Sequence, residues 1–174
     1  MQYKKFEGII INRRFVGDAD RFYTIFTKED GKIMVFARSV RNIKSKRASS
    51  LDLFSKIKFE SIEKNGRKIL THVDLIESNR EGKTKIINIA RLFEIGELVD
   101  ALTGEEDPHV EVYQLLDTAL VNISRFVTPE YLYRFKTRLL KELGFYSPSL
   151  TDSTIDSYIE SLIERPLRSP QMTA

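Results

Sequence analysis

Cysteine is absent from all 174 residues. Disulfides, thiolate catalysis and Cys-ligated zinc are therefore excluded, and a reducing compartment fits. Histidine is nearly absent too, with only His72 and His109. No stretch approaches the ~20 apolar residues of a membrane span. The start, Met1-Gln2-Tyr3-Lys4-Lys5, has no apolar run of signal-peptide length. A P-loop, a dinucleotide fingerprint and a nucleophile elbow are all missing. The expectation is a soluble, cytoplasmic protein that is not an enzyme and needs no cofactor.

Charge is present but unevenly distributed. Residues 1–80 carry 18 Lys/Arg against 10 Asp/Glu, a net of +8, whereas residues 81–174 carry 10 against 15, a net of −5. Segregation of this kind suggests a basic half that faces a polyanion.

The basic half reads as strands. Phe6 to Arg13 contains the β-branched run Ile9-Ile10-Ile11. Arg21 to Lys28 and Ile33 to Arg38 flank Glu29-Asp30-Gly31-Lys32, a hairpin turn in which Gly31 can take φ > 0. Phe54 to Lys64 alternates, with Ile57 and Phe59 on one face and Lys56, Lys58 and Glu60 on the other. Asn65-Gly66 is a strong hairpin signal, and Arg67 to Glu77 is the return strand. Five strands with one long connection, Ser39 to Leu53, suit a small closed barrel of the OB type, with an SH3-like barrel or a small sandwich as the alternatives that pattern alone leaves open.

Past Ser78-Asn79-Arg80-Glu81-Gly82-Lys83, read as a linker, the period becomes helical. Ile86, Ile87, Ala90, Phe93, Leu98, Ala101 and Leu102 recur at three- and four-residue steps before Gly104. Val110 to Phe126 gives a second helix. Thr128 is a natural N-cap with Pro129 in the first helical position, and that third helix runs to Leu143. Thr154 to Arg165 is a short fourth helix. The fold class is thus α+β in two domains: an OB-type barrel over residues 1–78, then an all-α domain over residues 79–174.

Catalytic constellations are sparse. His72 lies mid-strand, and His109 follows the acidic loop Glu105-Glu106-Asp107-Pro108, which reads most simply as a helix–helix connection. Asp18 and Asp20 could hold Mg²⁺ for a nuclease, but turn chemistry after Gly17 explains them more simply. The sharper signal is the connection from Ala37 to Ser50. It holds Arg38, Arg41, Lys44, Lys46 and Arg47 with no acid among them. Exposed cations of this kind contact phosphates and release counterions, and Ser hydroxyls add phosphate contacts that read no bases. Arg13, Arg14 and Arg21 extend the basic surface. Phe22, Tyr23, Phe36 and Phe59 are nearby aromatics, some of which could stack on bases.

Several of these pieces occur in a specific order. Glu7-Gly8-Ile9-Ile10-Ile11 precedes Gly17-Asp18-Ala19-Asp20-Arg21, then Ile25-Phe26-Thr27-Lys28-Glu29-Asp30-Gly31-Lys32. Ala37-Arg38-Ser39-Val40-Arg41, a Lys/Ser-rich stretch and Leu51-Asp52-Leu53-Phe54 follow. Farther on stands Arg138-Leu139-Leu140-Lys141-Glu142-Leu143-Gly144-Phe145, with Pro148 and Leu150 beyond. This series resembles the RecO family of DNA-repair proteins, in a short form without the four-Cys zinc module many members carry. The resemblance implies an OB-fold N-terminal domain and a helical C-terminal domain; the lack of any Cys rules out the Cys-ligated zinc, and no metal is expected. It implies binding to single- and double-stranded DNA, strand annealing and assistance in recombinase loading. The implied partners are RecR and the acidic tail of single-stranded DNA-binding protein, with no membrane.

The expected DNA-binding residues are Arg13, Arg14, Arg21, Arg38, Arg41, Lys44, Lys46 and Arg47. Arg134, Lys136, Arg138 and Lys141 form a basic patch within the acidic half; Arg134, Arg138 and Lys141 are candidate contacts for an acidic partner tail. The rival reading is an OB-fold RNA-binding module of ribosome or translation type.

Overall fold

The computed structural model describes residues 2–40, 46–123, 125 and 128–169, with Lys46 and Arg47 described in their backbone only. Five strands come first: β1 (Tyr3–Val16), β2 (Asp20–Thr27), β3 (Gly31–Ala37), β4 (Lys56–Lys64) and β5 (Arg67–Glu77). A short helix, α1 (Lys46–Ser50), interrupts the connection between β3 and β4. The strands close into a barrel in the order β1-β2-β3-β5-β4. All neighbours are antiparallel except β3 and β5, which meet in parallel at Val35–Lys68 and Phe36–Ile69. This is the expected OB-type barrel.

Closure depends on β1. Its first half, Tyr3 to Ile9, pairs with β4, and Gly8 to Val16 pairs with β2. One strand serves two partners because its register shifts between Ile10 and Asn12, and an extra residue of this kind bends a strand. The strand also runs three residues beyond the expected Arg13. In the hairpin between β4 and β5, Asn65 and Gly66 both have positive φ, 52° and 70°, as a type I′ turn requires. Thr27 ties the turn between β2 and β3: its hydroxyl donates to the Gly31 carbonyl (2.8 Å) and accepts from the Asp30 N–H (3.0 Å). Inside the barrel, Phe6, Ile10, Tyr23, Ile25, Val35 and Phe59 pack into one core. Burying each such side chain is worth roughly 1.5–3 kcal/mol.

The second half holds a 3₁₀ turn (Glu81–Lys83) and helices α2 (Ile86–Leu102), α3 (Val110–Asn122), α4 (Pro129–Glu142) and α5 (Ile155–Ile163). The expected linker is thus partly ordered, with Gly82 buried directly under Ile123. The Thr128 hydroxyl accepts from the Tyr131 N–H (3.2 Å) and caps α4 as expected. The face of α2 matches expectation in part. Ala90 and Leu98 are buried as expected, together with Asn88, Leu92, Ile95 and Val99, whereas Ile86 is 83% exposed and Ile87 is exposed beside it. The helix opens on two apolar residues that face away from the packed side.

Lys136 corrects a second expectation. It is no part of an exposed basic patch: it is buried between Glu94 (2.6 Å) and Asp156 (2.7 Å), joining α4 to α2 and α5. Burial pushes its pKa down, but the two carboxylates outweigh burial and hold it above the ordinary lysine value.

The chain divides into two compact units. One is Met1–Ser78 with Gly104–Val110, and the other is Asn79–Thr103 with Glu111–Ala174. The acidic loop after α2 therefore groups with the barrel.

Candidate nucleic-acid interface

The turn between β1 and β2 is stitched to the segment leaving β3. Asp20 accepts a hydrogen bond from the Ser39 N–H (2.8 Å), and the Val40 N–H donates to the Ala19 carbonyl (2.9 Å). These bonds bring the end of β1, the start of β2 and the end of β3 to one end of the barrel. Arg13, Arg14, Arg21 and Arg38 come with them. Asp20 thus serves the turn, as expected. Among the described residues no three His, Asp or Glu side chains gather to hold a metal ion.

The four arginines differ in what they do. Arg14, Phe22 and Phe36 lie opposite one another on successive strands. Their neighbours in the register, Tyr23 and Val35, belong to the core, so this row lies on the outer wall. The Phe22 and Phe36 rings are 5.0 Å apart and tilted by 49°, and the Arg14 guanidinium sits 5.3 Å from the Phe22 ring. Arg13 is half-buried and pairs with Asp52 at 3.6 Å. Arg21 is also half-buried, with its guanidinium 4.7 Å from the Phe15 ring. Both lie near Tyr23, whose hydroxyl pKa is raised by burial against the opposing pull of Arg21 and Arg13. Arg38 is exposed.

The rest of the basic connection is described only at its edges. Val40 and Leu51 are both in the barrel core, so each end of the connection is anchored there. Lys46 and Arg47 belong to α1 by backbone. Their side chains, and all of Arg41 and Lys44, lie outside the described residues. Farther along the barrel, lysines are matched with acids: Lys4 with Asp30, Lys5 with Glu60 (3.3 Å) and Lys56 with Glu7 (3.8 Å).

Of the aromatics singled out, Tyr23 and Phe59 are buried in the core, and only Phe22 and Phe36 reach the wall. Sequence reasoning missed Phe15, which is 54% exposed. The available signal was Arg13-Arg14-Phe15-Val16, which continues the strand past its basic pair. The histidines have plain partners: His72 meets Asp74 (3.0 Å), and His109 meets Asp107 (3.0 Å). On α4, Arg138 pairs with Glu142 at 2.7 Å, and Lys141 lies 4.6 Å from the Tyr146 ring. Arg134 is exposed.

Residues 1–79 match the family model for the N-terminal part of recombination protein O, and residues 84–154 match that for its C-terminal part. Proteins named DNA repair protein RecO are among the relatives. That of Symbiobacterium thermophilum is 34% identical over 83% of this chain and 57% of its own length. That of Listeria monocytogenes serotype 4b (strain CLIP80459) is 31% identical over 82% of this chain and 56% of its own. That of Pelobacter propionicus is 32% identical over 86% of this chain and 61% of its own. The chain thus spans less than two thirds of the relatives it matches. With both family models aligned in order over a closed five-stranded barrel and the helices after it, the chain belongs to the recombination protein O family.

Proposed function

We propose that this chain acts in DNA repair and recombination by holding DNA on the arginine-rich end of its barrel. The carrying observation is the meeting of Arg13, Arg14, Arg21 and Arg38 at one end, beside the outward row of Phe22 and Phe36. Arg41, Lys44, Lys46 and Arg47, from the same basic connection, are proposed on sequence as further phosphate contacts. The cations neutralise phosphates and the wall aromatics stack on unpaired bases, so binding is sequence-tolerant. Neutralised strands repel each other less, which promotes annealing of complementary single strands; duplex is held through its phosphates alone. No bond is made or broken, so the role is that of a mediator and not of an enzyme.

Help in loading a recombinase together with RecR belongs to the same reading. So does capture of the acidic tail of single-stranded DNA-binding protein by Arg134, Arg138 and Lys141, although Arg138 must first leave Glu142. The test is annealing of complementary strands precoated with the cognate single-strand-binding protein. The chain is expected to accelerate annealing, and Arg14→Ala/Arg38→Ala to remove most of that gain. No acceleration by the parent chain overturns the proposal. Stronger binding to structured RNA than to single-stranded DNA at matched salt would instead favour the translation-type reading.

A further inference from the structure

The loop from Gly104 to Val110 lies against the barrel by its backbone. The Glu106 N–H donates to the Lys32 carbonyl (2.8 Å), and Glu105 forms a parallel bridge with Lys32. Gly31 packs so tightly on the Asp107 carbonyl that an added Cβ would stand 2.0 Å from its oxygen. These contacts fix where the loop's acids stand. Glu106 is ion-paired with Lys68. Glu105 and Glu106 line one hollow together with Phe22, Met34, Arg67 and Lys68. Phe22 is the centre of the outward aromatic row, so the acids sit beside the surface proposed for nucleic acid.

We infer that this loop is a built-in competitor of nucleic acid: its two carboxylates occupy the place that phosphates of a bound strand would take beside Phe22, Arg67 and Lys68. The inference rests on the proposed DNA-binding role of this wall. Backbone docking keeps the carboxylates at the hollow, but the pairing itself is easily exchanged. The Glu106 side chain is 60% exposed, and ion pairs of that kind are weak. A strand that supplies phosphates, and stacks a base near Phe22, displaces the acids. A single phosphate lacking a base does so less well. The loop thus raises the threshold for binding and selects against isolated anions.

The test measures the affinity of a fluorescent oligothymidine by anisotropy across a salt series. The parent chain is compared with Glu105→Gln/Glu106→Gln and with Glu81→Gln/Asp152→Asn, which changes net charge equally within the helical unit. The loop variant is expected to bind roughly threefold tighter at low salt, since each exposed pair is weak. Its plot of log affinity against log salt should be steeper by about 0.7 per additional phosphate contacted. The control is expected to stay near the parent. Equal tightening in both variants, or no change in the loop variant, overturns the competitor role while leaving DNA binding intact. No salt-dependent binding by the parent overturns the DNA-binding reading itself, and this inference with it.

Discussion

The carboxylate of Glu97 accepts hydrogen bonds from the Arg168 N–H (3.0 Å) and the Ser169 N–H (2.9 Å), and from the Arg165 guanidinium (2.6 Å). Burial pushes its pKa up, but these donors outweigh burial and hold the carboxyl below its ordinary value. A lowered carboxyl stabilises the fold fully above its unfolded value and loses that contribution as pH falls through the folded one. Glu97→Gln should therefore cost about 2 kcal/mol in urea melts at neutral pH. The variant and parent should converge below the lowered value. Lys136 has the opposite sign. Its raised value gives full stabilisation below the ordinary lysine range, lost only as pH rises through the folded value. Lys136→Met leaves Glu94 and Asp156 without their shared cation and should cost about 3 kcal/mol, evenly from mildly acidic to mildly basic pH. Neither role shows in the sequence, because each depends on residues tens of positions away.

At the scale of elements, local signals and the barrel class were legible, but the bend in β1 that lets the barrel close was not. The Asn65-Gly66 turn, the bounds of β5 and the Thr128-Pro129 start of α4 all followed from neighbouring residues. Thr128→Ala should lower stability by about 1 kcal/mol in thermal or urea unfolding, the usual cost of losing a cap. The bend in β1 was illegible, since it answers to β2 and β4 closing on both sides. Helix α1, hidden in what read as a loop, carries Lys46 and Arg47 in a short polar stretch with no amphipathic pattern. Barrel aromatics were legible as residues but not as faces. Only the register separates buried Tyr23 from Phe22 beside it. Phe22→Ala should lower single-strand affinity by roughly 1–3 kcal/mol, the usual worth of one stacked base, and change duplex affinity far less. Anisotropy titrations on both substrates would check this.

For the whole molecule, the uneven charge was the most legible feature, and the barrel gives part of it a location. Arg13 and Arg14 on β1, Arg21 on β2 and Arg38 just past β3 share one end, whereas Lys4, Lys5 and Lys56 elsewhere on the barrel meet Asp30, Glu60 and Glu7. Arg13 is partly taken up by Asp52, so Arg14 and Arg38 are the exposed pair on which phosphate binding rests. The most direct measurement is the salt dependence of single-stranded DNA affinity for the parent chain and for Arg14→Ala/Arg38→Ala. The double variant should bind more weakly, with a slope shallower by about 1.4, two phosphates at ~0.7 each. An unchanged slope in a folded double variant would show that the strand lies elsewhere.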